Sequence, residues 1–265
     1  MPRQITAFSN ATVKLLRSLR DKKARRAEGL FLAEGLRILT EARDSGRLPE
    51  IVAFSPEGAK HPLAAEIIAA TEAAGGDAIE TTPDILSKMS GKDNPQMLLG
   101  AYPQPDASLE RIDRGKAPLW ICAQALRDPG NIGTILRTGD AVGAGGLILI
   151  DDSADPFSVE AVRASMGAIF TQQVAVTRWP EFIRWLRNGD GELVGTSLKA
   201  AQDYLEAEYL RPCFLLIGNE QQGLPADYEA ECDSLVKIPM AGRADSLNAA
   251  MAAAVMAFTV TASWR

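Results

Sequence analysis

Five polar side chains in three loops of the sequence are of types that can bind and orient a reacting group. The first loop holds Asn131 and Arg137, the second Glu220, and the third Ser246 and Asn248. A guanidinium stays protonated at ordinary pH, so Arg137 is suited to clamping a phosphate or to lowering the pKa of a nearby hydroxyl. The amides and the hydroxyl can orient such groups through neutral hydrogen bonds. Glu220 can pair with an amide or a cation and so hold its loop in place.

The remaining chemistry-bearing residues exclude two common kinds of site. His61 is the sole histidine, so the chain has no Ser-His-Asp triad and no multi-histidine metal site. Three widely spaced cysteines (Cys122, Cys213 and Cys232) are typical of reduced thiols rather than of a disulfide framework or a zinc site. We therefore expect no metal.

Each of the three loops follows an apolar run that predicts a buried strand. The runs cover 119–123, 214–218 and 235–238. The carboxyl ends of parallel strands gather at one edge of a sheet, so the polar residues of the loops are expected to share one pocket. Turn chemistry alone also places Gly, Asn, Asp and Pro at strand ends, and this explains any single loop equally well.

The second half of the chain alternates between predicted strands and helices, which is typical of an α/β fold with an open parallel sheet covered on both faces. The predicted strands are 119–123, 147–150, 173–176, 193–196, 214–218 and 235–238. The predicted helices are 132–142, 158–169, 180–188, 225–231 and 246–262. Asn131 is expected to cap the first of these helices.

The first half of the chain predicts a smaller α/β domain. The predicted strands are 51–54, 78–80 and 97–102. The predicted helices are 10–26, 35–44, 62–74 and a short one from Pro83, and Phe31 and Leu32 are expected to lead into the second of them. Proline and glycine punctuate a polar stretch before the second half. We divide the chain into a domain of residues 1–105, a linker of residues 106–117 and a domain of residues 118–265.

Charge is distributed unevenly along the chain. Residues 1–26 contain eight basic side chains and one acid, a net charge of +7, whereas the other residues carry −13. A basic segment on an acidic body predicts contact with a polyanion such as RNA, and a solvated helical face is the alternative. The candidate RNA-binding residues are Lys14, Arg17, Arg20, Lys22, Lys23, Arg25 and Arg26.

The composition predicts a soluble protein of the cytoplasm. No run approaches the length needed to span a bilayer, and the start of the chain, Met1-Pro2-Arg3-Gln4, lacks the apolar segment of a signal peptide. The cysteine usage agrees with a reducing compartment. We therefore expect no membrane partner.

Together, in this order and at this spacing, the three loops resemble the three motifs of the SpoU (TrmH) family. Members of this family are S-adenosylmethionine-dependent RNA ribose 2′-O-methyltransferases of the SPOUT class. The motifs are Asn131-x-Gly133-x-x-x-Arg137, Gly218-x-Glu220-x-x-Gly223-Leu224, and Ile238-Pro239-Met240 followed by Ser246-Leu247-Asn248. The N-terminal half, including Phe31-Leu32-Ala33-Glu34-Gly35, is similar to the L30e-like substrate-binding domain of some members.

The resemblance implies a C-terminal trefoil knot, an arrangement that is rare among folds. It also implies a homodimer, to which Leu247, Met251, Val255 and Phe258 on one face of the last helix would contribute, with plain core packing as the alternative. The implied cofactor is S-adenosylmethionine. Its implied contacts are Thr196, Gly218, Asn219, Ile238, Met240 and Leu247.

In the family the arginine of the first motif lies closest to the ribose hydroxyl, which implies a catalytic role for Arg137. The role of base fits a guanidinium poorly, and positioning of phosphate or hydroxyl fits it well. Asn131, Ser246 and Asn248 are implied to orient Arg137 and the ribose, and Glu220 to hold its loop. The implied substrate is rRNA or tRNA.

Two other functions compete with methyl transfer. A nicotinamide-dependent oxidoreductase would use Asp151 and Asp152, about 20 residues after Gly130, to bind a ribose. Against it, the first loop reads Gly130-x-x-Gly133 rather than the three-glycine fingerprint, and the other two loops have no part in it. The second competitor is a non-catalytic RNA-binding assembly factor, which would need a defect that the motifs do not show.

Overall fold

The computed structural model describes residues 2–265, which form two compact units. The first unit holds the chain up to Pro105 together with Phe157–Phe170. The second unit holds Asp106–Pro156 and Thr171–Arg265. The domain limits drawn from the sequence stay predictions, and they place residues 157–170 in the second domain.

Across residues 2–265 the structure contains twelve strands and eleven α-helices. The strands are β1 (Arg3–Ile5), β2 (Leu30–Glu34), β3 (Ile51–Phe54), β4 (Asp77–Thr81), β5 (Leu98–Pro103), β6 (Leu119–Gln124), β7 (Gly146–Ile150), β8 (Gln173–Thr177), β9 (Glu192–Thr196), β10 (Gln202–Asp203), β11 (Cys213–Ile217) and β12 (Ser234–Lys237). The helices are α1 (Ala11–Ser18), α2 (Lys22–Glu28), α3 (Leu36–Asp44), α4 (Pro56–Ala59), α5 (Pro62–Ala73), α6 (Pro83–Ser90), α7 (Pro129–Val142), α8 (Val159–Ser165), α9 (Trp179–Arg187), α10 (Ala226–Ala230) and α11 (Ala249–Ala262).

The first unit is built on a five-stranded mixed sheet with the order β1-β4-β3-β5-β2. Strands β1, β4 and β3 are parallel, and β5 runs antiparallel to both β3 and β2. Strand β2 is a correction to the sequence analysis, which expected Phe31 and Leu32 only to lead into a helix. All five residues of β2 are buried, because the strand pairs with β5 under the helices of this unit.

Residues 157–170 join the first unit through aromatic contacts. The ring of Phe31 lies 5.4 Å from that of Phe157 and 5.8 Å from that of Phe170, measured between centroids. Phe170 also packs on Tyr102 with centroids 4.7 Å apart. Aromatic rings bury large apolar areas, so this cluster accounts for the placement of a segment far away in the sequence. The hydrophobic periodicity of a segment does not indicate which distant segment it packs against.

The basic segment near the N-terminus forms two helices where the sequence analysis expected one over 10–26. Asp21 breaks the helix, because its carboxylate accepts hydrogen bonds from the amides of Lys23 and Ala24 and caps α2. Aspartate is favoured at this position and disfavoured inside helices. Asn10 caps α1 in the same way. The correction leaves the basic character of both helices unchanged.

Arg25 must be removed from the predicted RNA-binding set. Its side chain is only 2% exposed, and its guanidinium donates hydrogen bonds to the carbonyls of Leu19 and Arg20 at 2.9 Å each. These carbonyls lie at the end of α1, so Arg25 joins α1 to α2. The other six predicted residues are exposed: Lys14, Arg17, Arg20, Lys22, Lys23 and Arg26.

The second unit contains a seven-stranded sheet with the order β10-β12-β9-β11-β6-β7-β8, and every neighbouring pair is parallel. The predicted α/β class with a parallel sheet is confirmed. Its core is apolar and includes Trp120, Phe182 and Phe214, all fully buried. The trefoil knot implied by the family resemblance stays a prediction.

Two helices of the second unit begin three residues away from the predicted start. Helix α7 begins at Pro129 and is capped by Asp128, whose carboxylate accepts from the amide of Gly130. Asn131 is therefore inside the first turn rather than at the cap. Helix α11 begins at Ala249 instead of 246, because Asn248 supplies its cap. The first change frees the side chain of Asn131 for tertiary contacts. The second gives the side chain of Asn248 a fixed position.

None of the helices between residues 2 and 265 combines the length and the apolarity that crossing a membrane would require.

Candidate active site

The three polar loops meet at one edge of the parallel sheet. Strand β11 lies between β6 and β9, and β12 lies beside β9, so the loops after β6, β11 and β12 leave from neighbouring strands. Ile217 at the end of β11 pairs with Ala123, and Thr196 at the end of β9 pairs with Val236. The convergence expected from parallel strands is therefore present in the backbone.

A chain of three side chains ties the loops together. Asn131 donates from Nδ2 to Oε1 of Glu220 at 2.8 Å, and its Oδ1 accepts from Nδ2 of Asn248 at 3.1 Å. Asn248 in turn uses its own oxygen to cap α11, accepting from the amides of Ala250 and Met251. The carboxylate of Glu220 can only accept, so Asn131 must turn its nitrogen toward Glu220 and its oxygen toward Asn248. This orientation of the two asparagine amides satisfies every contact.

The position of Asn131 explains why an asparagine suits the centre of this chain. It is 7% exposed, so an unpaired polar atom there would be costly. Its amide offers one donor group and one acceptor, and the loops on either side use both. Glu220 and Asn248 are less buried and remain open to solvent on one side.

A cavity of about 330 Å³ lies beside the chain of hydrogen bonds. A volume of this size is within the range of sites for small ligands, roughly 300–1,000 Å³. Its lining includes eight of the predicted site residues: Thr196, Gly218, Asn219, Glu220, Ile238, Met240, Ser246 and Leu247. The structure therefore brings the predicted cofactor residues together around one space.

Both the charge and the polarity of the cavity are mixed. Glu220, Glu229 and Asp245 supply three carboxylates, against the single amine of Lys199. The rest of the wall is made of neutral polar residues, including Gln221 and Gln222, and of apolar residues, including Ile238 and Leu247. The arrangement suits a ligand with a flat apolar part and a positive charge. Glu229 in α10, Asp245 and Lys199 were not predicted, because none of the three motifs includes these positions.

The loop after β11 is folded tightly against itself. A Cβ atom on Gly218 would lie 2.4 Å from the carbonyl carbon of Gly223 and 2.5 Å from the amide of Leu224, so only glycine fits. Asn219 accepts from the amide of Gln221 at 2.9 Å and donates to the carbonyl of Ala125 at 2.8 Å. The loop thus has a fixed shape and is anchored to the end of β6.

Arg137 is not among the residues that meet at the cavity. It is exposed on α7, six residues after Asn131 and therefore about 9 Å further along the helix axis. Thr196 lines the cavity, and its hydroxyl donates to the carbonyl of Leu216 at 3.2 Å. Ser246 lines the cavity from an exposed position on the third loop.

Asp151 has a structural role that differs from the ribose-binding role considered for an oxidoreductase. Its carboxylate accepts from the hydroxyl of Tyr228 at 2.9 Å, from the amide of Trp179 at 3.1 Å and from Gln124 at 3.4 Å. The rings of Tyr228 and Trp179 stack with centroids 3.9 Å apart. Burial, helped by the hydrogen bond to Asp151, raises the pKa of Tyr228 well above its usual range. The contacts of Asp151 with Tyr228 and Trp179 hold α10 and the start of α9 in place.

The residues that the structure describes include no group of three or more His, Cys, Asp or Glu side chains arranged to hold a metal ion.

Comparison with known proteins identifies two matching sequence families. The SpoU rRNA Methylase family matches residues 118–258. The MRM3-like substrate binding domain matches residues 10–100. The first match covers the three loops and the cavity, and the second covers the basic helices and most of the five-stranded sheet.

Solved structures and curated relatives match nearly the whole chain. The AdoMet-bound rRNA methyltransferase from Sinorhizobium meliloti is 38% identical, with 97% of each chain covered and a TM-score of 0.89. The 23S rRNA (uridine(2479)-2′-O)-methyltransferase of Streptomyces viridochromogenes is 32% identical, covering 90% of this chain and 84% of the relative. The 23S rRNA (guanosine(2553)-2′-O)-methyltransferase RlmP of Bacillus subtilis is 29% identical, covering 97% and 98%.

Replacing Asn131 by Asp tests the chain of side chains at the site. Aspartate still accepts from Asn248 but cannot donate to Glu220 when ionised, and it brings two carboxylates together. We expect the free energy of unfolding at pH 7 to fall by about 1–3 kcal/mol. The loss relative to wild type should shrink at low pH, because a proton shared between the carboxylates removes their repulsion. Urea unfolding at pH 7 and pH 5 measures both effects.

Thr134→Ala is the matched control for Asn131→Asp. Thr134 is exposed one turn further along α7, and its hydroxyl bonds only to the carbonyl of Gly130 within the helix. We expect this change to alter stability by no more than about 0.5 kcal/mol. If Asn131→Asp lost no more stability than the control, the hydrogen-bonded chain of Glu220, Asn131 and Asn248 would not be important for stability.

Proposed function

The chain belongs to the SpoU rRNA Methylase family, and we propose on this basis that it transfers a methyl group from S-adenosylmethionine to a ribose 2′-hydroxyl of RNA. The observation that carries the proposal is the joining of three motif loops by Glu220, Asn131 and Asn248 beside a cavity of ligand size. The relatives named above are rRNA methyltransferases and match the chain over almost its full length.

We propose rRNA rather than tRNA as the substrate. Two of the relatives that cover most of the chain are named for 23S rRNA. One of these names specifies a uridine and the other a guanosine, so the target base does not follow from membership of the family. The proposed reaction places the enzyme in the cytoplasm with its RNA, and the three free cysteines agree with that location.

The cofactor is proposed to occupy the cavity of about 330 Å³. When bound, S-adenosylmethionine supplies an electrophilic methyl group carried on a positively charged sulfur. The carboxylates of the wall suit that charge, and the apolar side chains of Ile238 and Leu247 suit the adenine ring. Gly218 allows the backbone to approach the ligand closely, because no side chain stands in the way. Thr196, Asn219 and Met240 complete the proposed set.

The protein's own contribution to the chemistry is alignment and charge. A 2′-oxygen must be held in line with the methyl group and must lose its proton as the new bond forms. Arg137 stands outside the cavity, so we place its guanidinium on the phosphate next to the target ribose. From there its positive charge favours the ionised form of the hydroxyl. Asn131, Glu220 and Asn248 fix the loops that present the ribose to the cofactor, and the exposed hydroxyl of Ser246 is left to orient the ribose.

Methyl transfer from labelled S-adenosylmethionine to unmodified transcripts of 23S rRNA, 16S rRNA and tRNA tests the proposal directly. We expect incorporation at one nucleotide of 23S rRNA. Arg137→Ala should lower kcat by about 100- to 1,000-fold, as does loss of one preorganised donor to developing charge. The dissociation constant of S-adenosylmethionine, measured by calorimetry, should stay within about threefold because Arg137 does not line the cavity.

Arg184→Ala is the control for Arg137→Ala, because it removes another exposed arginine of the same unit. It should leave kcat unchanged. Turnover by Arg137→Ala at the wild-type rate would remove Arg137 from the proposed site.

The exposed basic residues of α1 and α2 are proposed to bind the RNA backbone. Each phosphate contact to a single strand adds about 0.7 to the slope of log K against log salt concentration. The triple variant of Lys22, Lys23 and Arg26 to Ala should therefore lower that slope by about 2. Filter binding of the rRNA transcript between 50 and 200 mM salt measures it. Lys60→Ala, an exposed lysine of the same unit, should leave the slope unchanged.

A homodimer through the last helix is proposed from the apolar face that α11 exposes. Met251 is 64% exposed and Phe258 53%, and Leu247 just before the helix is 37% exposed. Met251→Asp combined with Phe258→Asp should convert a dimer into a monomer in sedimentation velocity at micromolar concentration. Leu63→Asp, which changes an exposed leucine of the first unit, should leave the dimer intact. A wild-type protein that sediments as a monomer would defeat this proposal.

A further inference from the structure

A second cavity, of about 510 Å³, adjoins the loop after β11. We call it the amide pocket, and define it by Gln124, Arg127, Asn219, Gln221, Gln222 and Pro225. None of these residues except Asn219 belongs to the predicted cofactor or catalytic sets. The reaction proposed above therefore leaves the amide pocket without a role.

The amide pocket differs from the cofactor cavity in the charge of its lining. It is lined by three residues with amide side chains, Gln124, Gln221 and Gln222, and by Arg127 with its guanidinium. Among the described residues no carboxylate lines it, whereas three carboxylates line the cofactor cavity. An amide presents a donor and an acceptor side by side, which is the pattern that a nucleobase edge also presents. The guanidinium is matched to a phosphate.

Gln124 is held in a defined orientation. It is the last residue of β6 and 8% exposed, and its Nε2 donates to Oδ2 of Asp151 at 3.4 Å. Asp151 is itself fixed by Tyr228 and by the backbone amide of Trp179. Because the carboxylate takes the donor end of the amide, Oε1 of Gln124 is the acceptor left for a ligand. A binding group supported in this way is preorganised for its partner.

The amide pocket adjoins the proposed site of reaction. Gln221, Gln222 and Leu224 line both cavities, so the loop after β11 contributes to the wall of each. This loop is anchored to the end of β6 by the hydrogen bond from Asn219 to the carbonyl of Ala125. Ala125 has a left-handed backbone with φ of 50°, which turns the chain between Gln124 and Arg127. A ligand in the amide pocket would thus lie within the thickness of one loop from the cofactor cavity.

We propose that the amide pocket receives a nucleobase of the RNA, at or next to the nucleotide that is methylated. Oε1 of Gln124 accepts a hydrogen bond from the base, Gln221 and Gln222 bind its remaining edge, and Arg127 binds the phosphate of the same nucleotide. Recognition of unstacked bases through their edges is the usual way in which proteins read single-stranded RNA. The inference rests on the proposed function, because it takes RNA as the substrate.

The test compares base discrimination in wild type and in Gln124→Met. Methionine has a similar length but no acceptor for a base. The RNAs are rRNA fragments in which the methylated nucleotide and each neighbour are replaced in turn by the other three bases. We expect wild type to bind the preferred base at one of these positions at least about tenfold more tightly, and Gln124→Met to lose most of that preference. Arg127→Ala should weaken binding of all fragments by a similar factor.

Filter binding is the primary measurement, since it does not depend on turnover. Gln202→Met, which removes an exposed amide elsewhere in the second unit, is the control and should keep the wild-type preference. A preference that survives in Gln124→Met, or a wild type without any preference, overturns the inference. Base-dependent binding that Gln124→Met abolishes supports it even if no methyl group is transferred, and that result would instead defeat the proposed function.

Discussion

The site depends on one hydrogen-bonded chain of three side chains that joins distant parts of the sequence. Asn131 bonds to Glu220 across 89 residues and to Asn248 across 117 residues. Each bond contributes only about 0.5–3 kcal/mol net, the larger values applying where one partner is charged. The parallel sheet brings the three loops to one edge, and the chain of bonds then fixes their relative positions. Without it, the loops around the cofactor cavity would share an edge but not a common geometry.

The helix caps next to these three side chains leave their hydrogen-bonding groups available for contacts between the loops. Asp128 caps α7, so the amide of Asn131 is not needed at the cap and can bond to two other loops. Asn248 does cap α11, but a cap uses only its oxygen and leaves its nitrogen for Asn131. Gly218 permits the turn that brings Glu220 back toward α7. Local helix capping and tertiary contact are thus satisfied by the same few residues.

The parts of the structure that follow from local pattern were predictable, and those that follow from distant contacts were not. Apolar runs predicted every strand of the large sheet except the two-residue β10, because buried parallel strands read as continuous apolar segments. Asp21 was missed as a helix breaker because a run of Lys, Arg and Ala, which all favour helices, continues past it. The packing of residues 157–170 on Phe31 had no local signal.

The same distinction applies to the candidate site. The motifs named the residues of the three loops, but the burial of Arg25 and the carboxylates of Glu229 and Asp245 depend on how the chain folds around them. Arg25 lies in a run of basic residues, and its residue type does not distinguish it from them. Only its contacts with the end of α1 separate it from its exposed neighbours.

Charge on this protein is partitioned by location, which resolves the conflict between an acidic chain and an anionic substrate. The net charge is −6, yet exposed charges further apart than a Debye length, about 8–10 Å, are largely screened from one another. Local charge therefore decides what binds. The cofactor cavity with its three carboxylates favours a cation and repels a phosphodiester, whereas Arg127 at the amide pocket, Arg137 on α7 and the basic helices α1 and α2 attract it. In the proposed reaction the phosphates of the RNA stay outside the cofactor cavity, beside exposed cations such as Arg137, so that only the target ribose needs to approach it.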